Sequence, residues 1–151
     1  MTDDDALLPP ARLRELTQWQ VSKISTLGAR LTAARMPLHG RADFAILSAL
    51  DEYGPLSQAE LGRRLGLDRN DVNGVVNRLD AAEQVVRETD PADRRRNIIT
   101  ITRAGSAHLS VLDGHAADVQ AELVHTLDES ERRQLHALLT KVLAGHTPQP
   151  A

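Results

Sequence analysis

Two helix-start signals stand close together in the middle of this chain, and they constrain the local fold more tightly than any other feature. Ser57-Gln58-Ala59-Glu60 has the form of a capping box: the Ser57 hydroxyl can accept the Glu60 amide while the Glu60 carboxylate reaches back. Leu56 and Leu61 flank it where a hydrophobic staple would close. The helix that begins here must be brief, because Gly66 suits the left-handed position after Leu65. Asp68-Arg69-Asn70-Asp71 then supplies a second N-cap, with an acid in the first turn. Two helices therefore meet across a very tight turn. The second, predicted over Arg69 to Glu83, carries Val72, Val75, Val76 and Leu79 on one face and Arg69, Asn70, Asn73, Gly74, Asn77 and Arg78 on another.

Beyond this pair the period changes. Val85 to Arg87 and Asn97 to Thr102 are short β-prone runs separated by Thr89-Asp90-Pro91-Ala92-Asp93, which predicts a hairpin with an exposed tip. Helical spacing returns on both flanks. Leu13, Leu16, Ile24, Leu27 and Leu31 predict one long helix from Pro9-Pro10 to about Arg35. Ala42, Ile46, Leu50 and Tyr53 predict a second, ending at Gly54-Pro55. Thr102 can cap a fifth, with Leu109, Leu112, Ala116, Val119 and Leu123 along one side. Asp128 with Glu131 repeats the capping logic for a sixth, carrying Leu135, Leu138, Leu139, Val142 and Leu143. The fold class predicted is mainly α with a small β-hairpin, a winged helix-turn-helix flanked by terminal helices.

In a helix-turn-helix the first helix buttresses the second, whose outward side chains enter the DNA major groove. The candidate DNA contacts are Ser57 and Gln58 at the start of the supporting helix and Arg69, Asn70, Asn73, Gly74, Asn77 and Arg78 on the next. Asparagine amides can pair with adenine N6 and N7, and Arg69 or Arg78 could reach guanine or phosphate. Gly74 costs about 1 kcal/mol of helix propensity against alanine, which fits a close approach to DNA or to the third helix. Arg94-Arg95-Arg96 at the hairpin tip, with Arg87 at its base, could enter a minor groove or clamp phosphates. Asp93 is placed to orient one of them through a local salt bridge.

The charge balance is compatible with this without compelling it. The chain is formally −3, yet residues 63–96 hold eight arginines against seven acids, so the middle is the most anion-friendly stretch. Cysteine is absent, which excludes disulfides, thiolate metal sites and thiol chemistry. No apolar run spans a bilayer and Met1-Thr2-Asp3-Asp4-Asp5 is acidic where a secretory signal would be basic, so the expectation is a cytoplasmic protein without membrane contact. No Gly-x-Ser-x-Gly elbow, phosphate-cradling loop or His-Glu-x-x-His helix is present, and the reading is not an enzyme and has no cofactor. A histidine-ligated zinc regulator, using His39, His108, His115 and His125, is one alternative. His108 and His115 are about 10 Å apart along a helix, too far to share one ion. A winged module that binds protein instead of DNA is the other.

Leu56 to Gly105, above all Asp93-Arg94-Arg95 followed by Ile98 to Thr102 and Gly105, resembles the MarR family of bacterial transcriptional regulators. One departure is visible: Glu83-Gln84 stands where the family usually has Gly-Leu before the wing. The resemblance implies a homodimer built from residues 9–36 and 103–146 and a DNA-binding region over 40–102, while residues 1–8 read by themselves as a disordered N-terminus. The wide apolar stripes of the last two helices support dimerisation independently. It further implies a repressor on a pseudo-palindromic operator in double-stranded DNA, released by a small aromatic acid. Arg14, Trp19 and Phe44 could contribute to such a pocket, although Trp19 and Phe44 also suit a core and Arg14 a solvated surface.

Overall fold

The structure, a computed structural model, describes residues 8–146. Apart from Leu8, the N-terminal stretch expected to be disordered lies outside the described residues, as does the tail from 147. In chain order the elements are α1 (Ala11–Arg14), α2 (Thr17–Arg35), α3 (Gly40–Tyr53), β1 (Leu56–Ser57), α4 (Gln58–Leu65), α5 (Arg69–Ala81), β2 (Val85–Thr89), β3 (Asn97–Ile101), α6 (Arg103–Leu123) and α7 (Glu129–Ala144). No helix among the described residues is long and apolar enough to cross a membrane. The chain divides into two compact units, 1–28 with 120–151 and 29–119, whose boundaries fall inside α2 and α6.

The 29–119 unit is assembled by its caps and one apolar core. Ser57 accepts the Glu60 amide while Glu60 accepts the Ser57 amide, so the expected capping box forms. The Glu60 carboxyl is held below its usual range by the Ser57 hydroxyl and then by the Ser57 amide. Gly66 ends α4 at φ 65°, a left-handed conformation that glycine adopts without steric cost. Asp68 then caps α5 by accepting the Asp71 amide at 2.8 Å. Val72, Val75, Val76 and Leu79 recur at i, i+3, i+4 and i+7 and are all buried, against Ile46, Leu47 and Leu50 of α3 and Leu61 of α4. Strand pairing closes the unit with a three-stranded antiparallel sheet in the order β1-β3-β2. Its middle strand places Ile99 opposite Leu56 on one side and Arg87 on the other.

In the other unit α7 has the capping box expected at Asp128 and Glu131. The single long first helix expected from Pro10 is instead broken into α1 and α2. Side chains take over the backbone groups at the break: Arg14 Nε donates to the Pro9 carbonyl at 2.9 Å and the Gln20 amide donates to the Arg14 carbonyl at 2.8 Å. Neither α2 nor α7 contains a buried residue.

The junction between α5 and β2 is strained at one residue. Helix α5 stops at Ala81, short of the expected Glu83. The Glu83 amide donates to Asp80 and the Gln84 amide to Leu79, which is the hydrogen-bond pattern of a Schellman stop. That stop needs a left-handed residue, and it is Glu83, at φ 58°, that supplies it. Thr102 clamps the same turn, donating to the Glu83 carbonyl at 2.7 Å and accepting the Gly105 amide at 3.1 Å as the cap of α6. A side chain at Gly105 would put its Cβ 2.0 Å from the Gln84 carbonyl oxygen, which explains a glycine there. Glu83→Gly relieves the left-handed strain and is expected to raise the unfolding free energy by about 1 kcal/mol. Gly105→Ala is expected to lower it by about 1–3 kcal/mol through overpacking. Both effects appear as shifts in the urea midpoint; a midpoint unmoved by Glu83→Gly would show that the glutamate makes a contact worth as much as the strain.

Candidate nucleic-acid interface

Burial of one stripe of α5 turns its opposite face outward. Arg69, Asn70, Asn73, Gly74 and Asn77 are all exposed there, on two adjoining rows at four-residue spacing. A Cβ built on Gly74 meets nothing within 4 Å, so packing against another helix does not require this glycine and the open side is left as its reason. Neighbouring elements order two of the amides. Gln58, at the first position of α4, donates to Asn73 Oδ1 at 3.2 Å. Arg87, on β2, donates through Nη2 to Asn77 Oδ1 at 2.6 Å.

The wing formed by β2, β3 and their turn is held by Asp90 more than by Asp93. Asp90 is only 6% exposed. It accepts the Ala92 amide at 2.9 Å and both Nε and Nη2 of Arg96, at 3.1 and 2.7 Å. The Ala92 amide first and the Arg96 guanidinium second hold its carboxyl below the ordinary aspartate range, against a smaller opposing effect of burial. The salt bridge expected at Asp93 exists, but its partner Arg95 approaches at 3.4 Å with a side chain 92% exposed, so it orients the turn and leaves the guanidinium in solvent. Arg94 is exposed at the tip with no ion pair among the described residues. Between α4 and the wing lies an open cleft of about 480 Å³, bordered by Gln58, Gly62, Arg63, Arg69, Arg95 and Asn97.

Four residues expected to contact DNA have other work in this geometry. Ser57 is 3% exposed and its hydroxyl is engaged with Glu60, so it is a cap and not a contact. Arg78 turns from the outward face into an ion pair with Asp43 of α3, and its Nε is buried without a partner. His108 of α6 stands 3.6 Å from the same carboxylate. Arg87 is half-buried and aimed at α5, while Arg96 is tied to Asp90. Sequence reasoning missed Asp43 altogether and placed Asp90 only in the turn of the hairpin. The two carboxylates differ in what could have exposed them: Asp43 lies 35 residues from Arg78, whereas Asp90 sits within the hairpin itself.

The candidate effector residues are separated between units. Phe44 packs against the core of the 29–119 unit. Arg14 and Trp19 belong to the other, where the Lys23 ammonium lies 5.2 Å from the Trp19 ring centre. As for the metal alternative, no three His, Cys, Asp or Glu residues gather into a possible metal site among the described residues.

Residues 40–96 match the model of the MarR family. Over 100 residues the chain is 36% identical to the HTH-type transcriptional repressor NicR of Pseudomonas putida, covering 66% of this chain and 63% of NicR, less than two thirds of that relative's length. A probable transcriptional regulator from Pseudomonas aeruginosa superposes with a TM-score of 0.75 at 28% identity, over 86% of this chain and 98% of that one. BpsR of Bordetella bronchiseptica, whose DNA binding is regulated by 6-hydroxynicotinic acid, superposes with a TM-score of 0.72 at 26% identity, over 82% and 95% of the two chains. The match falls on the segment where the two caps, the outward face of α5 and the start of the Asp90-braced wing occur, and over residues 40–96 this chain is similar to the MarR family.

Proposed function

We propose that the chain is a sequence-specific regulator that binds double-stranded DNA as a homodimer, with α5 in the major groove and the wing alongside it. One observation carries this reading: α5 is pinned by a buried stripe so that Arg69, Asn70, Asn73, Gly74 and Asn77 face outward beside a wing whose tip turns the guanidinium groups of Arg94 and Arg95 to solvent. Amides and guanidinium groups are what base edges and phosphates require, and no acid on α5 shares the row formed by Arg69, Asn73 and Asn77.

Dimerisation follows from apolar surface that one chain leaves in water. Leu13, Leu16, Val21, Ile24 and Leu27 are 39–52% exposed, and Leu138, Leu139, Val142 and Leu143 are 43–70% exposed. A face of that extent along α1, α2 and α7, none of which contains a buried residue, fits a second copy, and two copies would read a pseudo-palindrome with half-sites about one helical turn apart. By similarity to NicR the regulator acts as a repressor, and by similarity to BpsR its effector is a small aromatic acid. Catalysis has no part in this reading, and the site of action is the cytoplasm.

The test is binding to the duplex that flanks its own gene, followed by fluorescence anisotropy across a salt series. Affinity should fall steeply as salt rises, and Arg94→Ala, which removes one cation from each subunit of the dimer, should reduce the magnitude of the log–log slope by about two. A binding constant indifferent to salt would contradict the DNA reading and favour the protein-interaction alternative. Leu138→Glu changes a side chain that is 62% exposed in the single chain. As a plain surface substitution it would alter stability by about 0.5 kcal/mol or less. At a dimer interface it should yield monomers by light scattering and weaken duplex binding at least tenfold; an unchanged dimer would remove this helix from the interface.

A further inference from the structure

We propose that Arg87 fixes which base Asn77 reads, turning it away from adenine and toward an edge made of acceptors, guanine first and thymine second. The proposal rests on the DNA-binding reading above and goes past it, to the identity of one base in each half-site.

The argument begins with what each group can do. Arginine has five N–H donors, no acceptor, and does not lose its proton in proteins. Whichever way an asparagine amide is turned, the atom that faces an arginine at hydrogen-bond distance must therefore be its oxygen. Arg87 Nη2 lies 2.6 Å from Asn77 Oδ1, so the orientation of this amide follows from chemistry as well as from coordinates. The Gln58–Asn73 contact gives no such assurance, because two amides can exchange roles by turning together.

Arg87 is itself held in place. It sits in the middle of β2, opposite Ile99 of the central strand, which fixes the direction from which its side chain leaves the sheet. The side chain is half-buried and its Nε is sealed from solvent without a partner, so the guanidinium is packed into place and not floating at the surface. No carboxylate forms an ion pair with it among the described residues, and Asn77 Oδ1 is the acceptor it uses. A cation braced in this way holds the carbonyl of Asn77 toward the wing and leaves the Nδ2 protons of an exposed residue for the ligand.

Adenine presents acceptor N7 next to donor N6–H₂ in the major groove, and the usual asparagine pairing needs oxygen and nitrogen together. With the oxygen engaged, adenine would bring its N6–H₂ donors toward an oxygen already serving a cation and toward the guanidinium charge itself. Guanine offers acceptors N7 and O6, and thymine offers O4; both suit an N–H₂ donor and a nearby positive charge. Cytosine, with its N4–H₂ donor, is disfavoured for the same reason as adenine. Arg87 is in this account a positioning residue, whereas Asn77 is the one that touches the base.

The experiment is selection of duplexes from a randomised library by the full chain, with Arg87→Lys, Arg87→Met and Asn77→Ala run in parallel and checked for folding by thermal melting. The natural chain should enrich guanine or thymine over adenine by about five- to tenfold at one symmetry-related position. Asn77→Ala should flatten that position and no other. Arg87→Lys, which can still donate to Oδ1, should retain the preference, while Arg87→Met should relax it or admit adenine with the salt slope unchanged. A merely structural Arg87 would lower all affinities and leave the base profile alone. A phosphate-binding Arg87 would lower the salt slope by about two, one for each subunit. Either result overturns the proposal, as does adenine at the Asn77-dependent position or a profile indifferent to Asn77→Ala. If the natural chain enriches no duplex at all, the DNA-binding reading fails with it; enrichment with the wrong base defeats only the present inference.

Discussion

The polar face that the 29–119 unit turns outward depends on how α5 is seated. Val72, Val75, Val76 and Leu79 fill one stripe against α3 and α4 and are at most 7% exposed. Burying side chains of this size contributes roughly 1.5–3 kcal/mol each, far more than any surface ion pair nearby. The two caps act on the same helix from its start: the α4 box sets where the supporting helix begins, Gly66 ends it, and Asp68 starts α5 without an intervening loop. Rotation of α5 about its axis would expose valines and bury amides, and that is why Asn70, Asn73 and Asn77 face outward.

Arginine placement, not arginine number, reconciles an acidic chain with the anionic partner proposed for it. Of the eight arginines between residues 63 and 96, three have become internal struts: Arg78 on Asp43, Arg87 on Asn77 and Arg96 on Asp90. Arg64 lies on the Tyr53 ring at 4.0 Å from its centre. The charges left to face solvent are Arg63, Arg69, Arg94 and Arg95, which converge on the end of α5, the cleft and the wing tip. The struts still matter to recognition, because they fix the wing and the amides against α5. A half-buried guanidinium with its Nε unsatisfied, as at Arg78 and Arg87, gives up hydration for that rigidity.

Local signals made much of this legible before any coordinates. Capping boxes at Ser57 and Asp128, the left-handed Gly66 and the valine stripe each reside within one or two turns of chain, and each formed as expected. What failed to show was non-local or too short to have a period. Strand β1 is two residues long and exists because Leu56 meets Ile99 across the sheet. The Asp43–Arg78 pair joins two helices that are separate in sequence, so an arginine read as outward proved to be a tie. Hairpin geometry, not composition, decided that Arg96 turns back to Asp90 while Arg94 remains free. The unusual Glu83-Gln84 left its mark on strain alone, since the glutamate adopts the left-handed turn that a glycine would take.

Two copies of this frame, joined through the apolar faces of the terminal helices, would set two α5 helices into successive major grooves on one side of a duplex. Guanine N7 lies in the major groove, so premethylation at that atom reports directly where α5 must enter. Methylation interference on a selected duplex should show two windows centred about one helical turn, roughly 34–36 Å, apart and related by symmetry. Interference confined to one window, or bound duplexes with no sensitivity at guanine N7, would contradict the placement of α5 on which the whole account stands.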